Sequence, residues 1–318
     1  MTTIDLYAHR RRCNGASGFL LLCLILMLLC VLSTMLVQMG IALYLCGKRG
    51  YGLDTAMQAV LSPTFMGAVS TSGVGYLVYS LVCLAAVWIW MGKPAFSFST
   101  YRRMGPASFF QILCLFLSVQ LISTWLSSWM EAVLNCFGLS AMAALEQASA
   151  LDGDLAMELY AGFLAPVVEE ILFRGGVLRA LRPAGKGFAI VFSALLFGVF
   201  HGNLVQIPFA FLVGLVLGYV AAEYSLGWCI LLHWINNCVL GMLLERWPLA
   251  QGVIVLAAAV GSVLILVVQR KRIGAYLHSL PPFPRGTVLV FFQSPATVAL
   301  LVFTLLSTLG GITPISGG

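Results

Sequence analysis

The chain has 318 residues, 61% of them hydrophobic and only 9% charged, with mean hydropathy +1.00 and a net charge of +6. A soluble domain carries about 25% charged residues, so this composition excludes a soluble globular protein of this size. The Lys and Arg residues sit in short flanks between apolar runs, which points to anionic lipid headgroups and excludes nucleic acid as a partner.

In chain order, Asp, Glu, Lys and Arg are absent from 13–47, 55–92, 104–130, 187–222, 224–244, 247–269 and 286–318. A spanning helix needs about 20 apolar residues, and every gap is long enough. The first run follows Arg10-Arg11-Arg12 and stays apolar to Cys46. It exceeds the roughly 7–15 residues of a signal-peptide core and reads as a first transmembrane helix. Ser62-Pro63 separates an interfacial segment from a helix near 68–92. Gly202-Asn203 and Pro208 split 187–222 into two helices. The last gap contains Gln293 and Pro295. The expected fold is an all-α, multi-pass transmembrane bundle of about eight or nine spans. It divides into N-terminal helices with an acidic outer loop (1–155), a charge-bearing set of helices (156–246) and C-terminal helices (247–318).

Basic residues flank alternate ends of these spans: Arg10–Arg12, then Lys93, Arg102 and Arg103, then Arg179, Arg182 and Lys186, then Arg270–Arg272 and Arg285. The loop 131–155 has none and carries Glu131, Glu146, Asp152 and Asp154. This pattern predicts an integral protein of the plasma membrane with a cytoplasmic N-terminus, Lys48-Arg49 and Arg246 being a minority on the wrong side. Of nine cysteines most lie in apolar runs, and none forms a C-x-x-C pair. His9 and His278 lie in polar flanks and read as solvated loop residues.

The segment 159–181, LYAGFLAPVVEEILFRGGVLRAL, places Glu169, Glu170 and Arg174 inside an apolar helix. Each charge at the centre of a span costs about 2.5–3.5 kcal/mol, so three of them point to the bundle interior or a watery cavity. Glu170 and Arg174 are i,i+4 with the acid first, the favourable order for an ion pair. Glu169 points about 100° away and is left over. His201 follows Phe197 by four residues, and Asn237 follows His233 by four, so each pair shares a helix face. Counting from the cytoplasmic flank, Glu169 and His201 both lie about 20 Å deep, whereas His233 lies only roughly 9 Å past Gly227. A carboxylate, two imidazoles and a carboxamide suit hydrolysis: the carboxylate and a His deprotonate water, and a His and an Asn donate to an oxyanion. One Glu and two His are equally a catalytic zinc set, so the residues leave a divalent metal such as zinc open.

The three motifs, Glu169-Glu170-x-x-x-Arg174, Phe197-x-x-x-His201 and His233-x-x-x-Asn237, resemble the signature of the CPBP family over about residues 156–246. That family comprises CAAX prenyl proteases of the Ras-converting type and the bacteriocin-processing or immunity (Abi) proteases. Phe173, Gly175 and Gly198 match it as well. The resemblance implies an intramembrane endopeptidase, of metallo- or glutamate type, with a cavity open toward the cytoplasm. It implies Glu169 as general base with His201, His233 and Asn237 as oxyanion donors, and Glu170, Arg174 and Phe197 as supports. It further implies a peptide or protein substrate, membrane-anchored, handled by CAAX-type C-terminal processing or peptide maturation. The alternatives are a proton- or ion-coupled transporter and a non-catalytic immunity or scaffold protein. The first half of the chain shows no inverted repeat of the motif helices, which argues against a transporter.

Overall fold

The computed structural model describes residues 5–99, 101–142 and 154–315; Glu146 and Asp152 of the acidic loop lie outside them. Helix α1 runs over Leu6–Lys48, with Asp5 capping it by accepting from the Tyr7 and Ala8 amides. Its N-terminal half buries Cys13, Ala16, Leu20 and Cys23, whereas Leu36, Val37 and Tyr44 face outward. His9 departs from the expectation of a solvated residue. It is fully buried, its Nε2 lies 3.1 Å from the Thr287 carbonyl, and its ring meets Phe188 edge-on at 5.1 Å. The reason is that α1 starts at Leu6, before the arginines, and the C-terminal helices close over its first turn. His278 is exposed, as expected.

Ser62-Pro63 breaks the second run as its sequence predicts. Helix α2 (Leu53–Val60) precedes α3 (Pro63–Ser70), which Ser62 caps, and α4 follows over Val74–Met91. Helix α5 covers Pro106–Asn135. A helical run over 155–181, here α6, begins at Asp154, whose carboxylate accepts from the Ala156 amide and, at 2.6 Å, from Gly73. These bonds hold the Asp154 carboxyl below its usual range, the Gly73 amide contributing most.

Helices α7 (Lys186–Phe200) and α8 (Gln206–Glu223) form a hairpin whose open ends are tied by Lys186 Nζ and Glu223 Oε1 at 2.6 Å. A Cβ at Gly214 would lie 3.1 Å from Ala194, so the glycine permits the close packing that its G-x-x-x-G spacing suggests. Helix α9 spans Leu226–Arg246 and α10 spans Pro248–Val268. The short α11 (Arg270–Ser279) carries the basic cluster. Helices α12 (Thr287–Gln293) and α13 (Pro295–Gly310) bend by 61° at Ser294-Pro295, and α13 packs on α1 through Ser17 and Thr297 hydroxyls 2.8 Å apart. A two-residue pairing of Leu139–Ser140 with Thr313–Pro314 joins the end of α5 to the C-terminal segment.

Among the described residues, six helices are long and apolar enough to cross a membrane, or seven counting the bent α12–α13 pair. Adding α6, whose charges set it apart, and the shorter α7 brings the described residues close to the eight or nine spans expected. The protein is an all-α integral membrane bundle, with α6 and the α7–α8 hairpin at its buried centre.

Candidate active site

The site is built on two irregular helices. In α6 the α-helical ladder widens to π turns over Tyr160–Leu164 and Ile171–Val177; in α9 it does so over Ile235–Leu243. Each π turn inserts a residue and rotates the side chains beyond it, and such turns recur at functional sites. Here they carry Ala161, Arg174, Asn236 and Asn237. Gly175 lets α6 press against the backbone of Ala95, where any Cβ would collide with the Ala95 carbonyl.

Glu169 and Glu170, adjacent in sequence, meet opposite environments. Glu170 is fully buried, and its Oε2 lies 3.1 Å from Arg174 Nε in the i,i+4 pair the spacing predicts. The Arg174 guanidinium stacks over Phe197 at 4.4 Å, and Nη2 donates to the Gly214 carbonyl at 3.4 Å. A buried charge pair is tolerable only when each charge keeps its partner. Glu170 has a second partner that sequence spacing could not reveal: His233 Nδ1, at 2.8 Å. With Nδ1–H donated to Glu170, the His233 ring turns Nε2 toward Glu169 Oε2, 3.9 Å away. The shallow depth counted for His233 from its own helix therefore does not separate it from the glutamates; residue rise measures depth only for helices along the membrane normal. Glu169 retains 21% side-chain exposure where Glu170 has none.

His201 caps α7 at the hairpin apex, and its Nδ1–H donates to the Phe197 carbonyl at 2.8 Å, leaving Nε2 without a partner among the described residues. Phe197 stands edge-on between the rings of His201 at 5.0 Å and His233 at 6.0 Å. Asn237 Nδ2 donates to the Ala161 carbonyl at 2.9 Å, and its Oδ1 accepts from Asn236, whose own Oδ1 accepts from Gln120 on α5. An amide nitrogen carries two hydrogens, so Asn237 keeps one donor for a ligand.

Glu169, Phe197, His201, His233 and Asn237 line one cavity of about 160 Å³, together with Asn236, Gln206 and Phe209. Glu170 and Arg174 sit behind this wall. Sequence reasoning singled out none of Asn236, Gln120 and Gln206. Their signal was available, since each is a carboxamide within or at the end of an apolar run. Among the described residues no three His, Cys, Asp or Glu side chains converge as a metal-ligand set, so the donors as arranged do not make a zinc site.

Residues 152–239 match the family model described as type II CAAX prenyl endopeptidase Rce1-like. The match agrees with the family that the three motifs suggest, and it covers less than a third of the chain. No curated protein and no solved structure matches the chain.

Proposed function

Taking residues 152–239 as those of an Rce1-like CAAX-type intramembrane protease, we propose that the chain hydrolyses a peptide bond with a water activated by Glu169. Glu169 is the one carboxylate of the glutamate pair with access to the cavity, and this carries the reading. It takes a proton from water as that water attacks the scissile carbonyl, while His201 Nε2 orients the water. His233, held at Nδ1 by Glu170, offers Nε2–H in its imidazolium form, and Asn237 offers its second amide hydrogen, to the oxygen that gains charge. Glu169 then returns the proton to the leaving amine. Glu170 and Arg174 fix His233, and Phe197 holds both imidazoles in place. The charge-bearing segment 156–246 is the catalytic unit, flanked by 1–155 and 247–318.

The substrate class is a peptide or protein, membrane-anchored, processed at a CAAX-type C-terminus or matured from a precursor. The N-terminus lies in the cytoplasm and the bundle in the plasma membrane. The test is cleavage of a fluorogenic peptide panel, prenylated CAAX peptides included, by purified protein and by Glu169→Ala, with and without chelator. Cleavage by the parent that is lost in the variant and unaffected by chelator supports the scheme. Retained cleavage in Glu169→Ala contradicts it, and chelator-sensitive cleavage replaces the water-activating role with a metal's.

A further inference from the structure

The basic flanks that follow α4 and α10 lie far apart in the chain, yet Arg102 and Arg272 line one groove of about 340 Å³. Helices α5 and α10 touch deeper in the bundle, where a Cβ at Gly261 would lie 3.4 Å from Cys114 Sγ. Toward the basic end the groove opens between them, and the end of α8 and the start of α11 complete its walls. Its lining changes character along its length. Ile112 and Leu115 lie about 9 and 14 Å along α5 from Pro106, and with Ile265 and Leu266 of α10 they make an apolar wall. Arg102, just before α5, and Gln269 and Arg272, just past α10, form a polar rim at the other end.

The rim is cationic and has no counter-charge. No carboxylate lines the groove, and among the described residues neither Arg102 nor Arg272 has one as an ion-pair partner. Arg102 lies over the Tyr224 ring at 6.0 Å, and Arg272 is exposed. Glu223, the acid that closes α8, is already engaged: Lys186 pairs with it, and the Tyr276 hydroxyl donates to it at 2.9 Å. Tyr276 in turn meets Tyr219 edge-on at 5.5 Å, and both rings line the groove, as aromatic side chains do at the level of lipid headgroups. The bland reading is a gap between helices that any lipid tail fills. Such a gap has no need of two arginines at its mouth, and arginines facing only water have no need of an apolar wall beneath them.

We propose that this groove is a binding site for an anionic glycerophospholipid of the leaflet at the basic end. Its phosphate sits between Arg102 and Arg272, and one acyl chain lies against Ile112, Leu115 and Leu266. A guanidinium matches phosphate oxygens with paired N–H donors, and basic pockets between membrane helices select anionic headgroups. A zwitterionic lipid presents the same phosphate but brings its own cation to the arginines, so net charge is what the rim discriminates. Free phosphate meets the arginines and leaves the apolar wall unfilled. The groove shares no lining residue with the cavity of Glu169 and His201, so the site stands apart from the peptidase reading.

The test is thermal unfolding of the purified full chain in detergent. It is titrated with dioleoyl phosphatidylglycerol, with dioleoyl phosphatidylcholine, or with inorganic phosphate at matched ionic strength. A ligand that binds the folded state raises the unfolding temperature. Phosphatidylglycerol is expected to do so at a half-effect concentration about fivefold or more below that of phosphatidylcholine, and phosphate alone to do nothing. Arg102→Gln and Arg272→Gln should each raise the phosphatidylglycerol half-effect concentration about fivefold. Leu115→Trp, which fills the apolar wall, should raise it too. Arg49→Gln removes the same charge from the exposed end of α1 and should change nothing. The two arginines are replaced singly, so a variant that fails to fold without lipid leaves the other to decide. Equal half-effects for the two lipids overturn the headgroup assignment. A phosphatidylglycerol response that ignores both arginines, or that Arg49→Gln weakens equally, overturns the site. An unchanged response in Leu115→Trp, or a phosphate response equal to the lipid's, overturns the seating of an acyl chain and with it the lipid as ligand.

Discussion

Helices α6 and α10 are both apolar elements of one membrane bundle, and they solve opposite problems. Helix α10 has no charged residue, keeps a regular α-helical ladder, and buries little beyond Ala258 and Ser262. Val260, Val263 and Leu264 are more than half exposed, toward lipid. Helix α6 carries three charges at its middle, is widened twice by π turns, and buries every residue from Glu170 to Leu178. In α10 the sequence matches the solvent around it. In α6 the charges are intelligible only through their partners: Arg174 and His233 for Glu170, and an open cavity for Glu169. Irregular backbone and costly charge occur together where side chains must be aimed, and neither occurs where the helix only fills the bilayer.

The sharpest way to break this contrast is to make α6 more like α10. Arg174→Met removes a charge from a membrane helix. If apolarity alone governed stability, thermal unfolding in detergent would shift upward. The account predicts destabilisation by about 3–5 kcal/mol, because Glu170 is left buried without its cation. Adding Glu170→Gln in the same chain should recover part of that loss. Asn237→Ala should lower kcat about 10²–10³-fold with little change in unfolding temperature, as expected of an oxyanion donor. Gln120→Leu makes α5 more apolar yet unties Asn236. It should cost about 1 kcal/mol of stability or of transition-state binding, seen as a lower kcat with unchanged KM. The smallest effect belongs to Asp154→Ala at the start of α6, about 1 kcal/mol or less from the lost cap. Because the folded-state carboxyl is held below its usual range, this contribution is full above the unfolded value and lost as pH falls through the folded one. The parent and variant should therefore converge in strongly acidic buffer.

Much of this was legible in the chain itself. Charge gaps located the spans, because a lipid-facing segment must lack charges wherever it lies in the bundle. Ser62-Pro63 marked a break, since proline lacks the amide a continuous helix needs. The i,i+4 spacings of Glu170 with Arg174 and Phe197 with His201 are contacts within one helix, so they survive any packing. What remained hidden depends on packing between helices. The bond from His233 to Glu170 joins residues 63 apart in sequence. The burial of His9 arises because distant residues 287–310 close over the start of α1. The bond from Gln120 to Asn236 likewise joins residues far apart in the chain, on α5 and α9.

The central claim is the division of labour between two adjacent carboxylates, one working in the cavity and one holding the frame. Paired measurement of peptide cleavage and thermal unfolding for Glu169→Gln and Glu170→Gln tests it most directly. The account predicts that Glu169→Gln loses about 10²–10⁴-fold in kcat at an unfolding temperature near the parent's. It predicts that Glu170→Gln unfolds at a clearly lower temperature, having stranded Arg174 and loosened His233. Equal stability losses in the two variants, or cleavage by Glu169→Gln at the parent rate, would contradict the division.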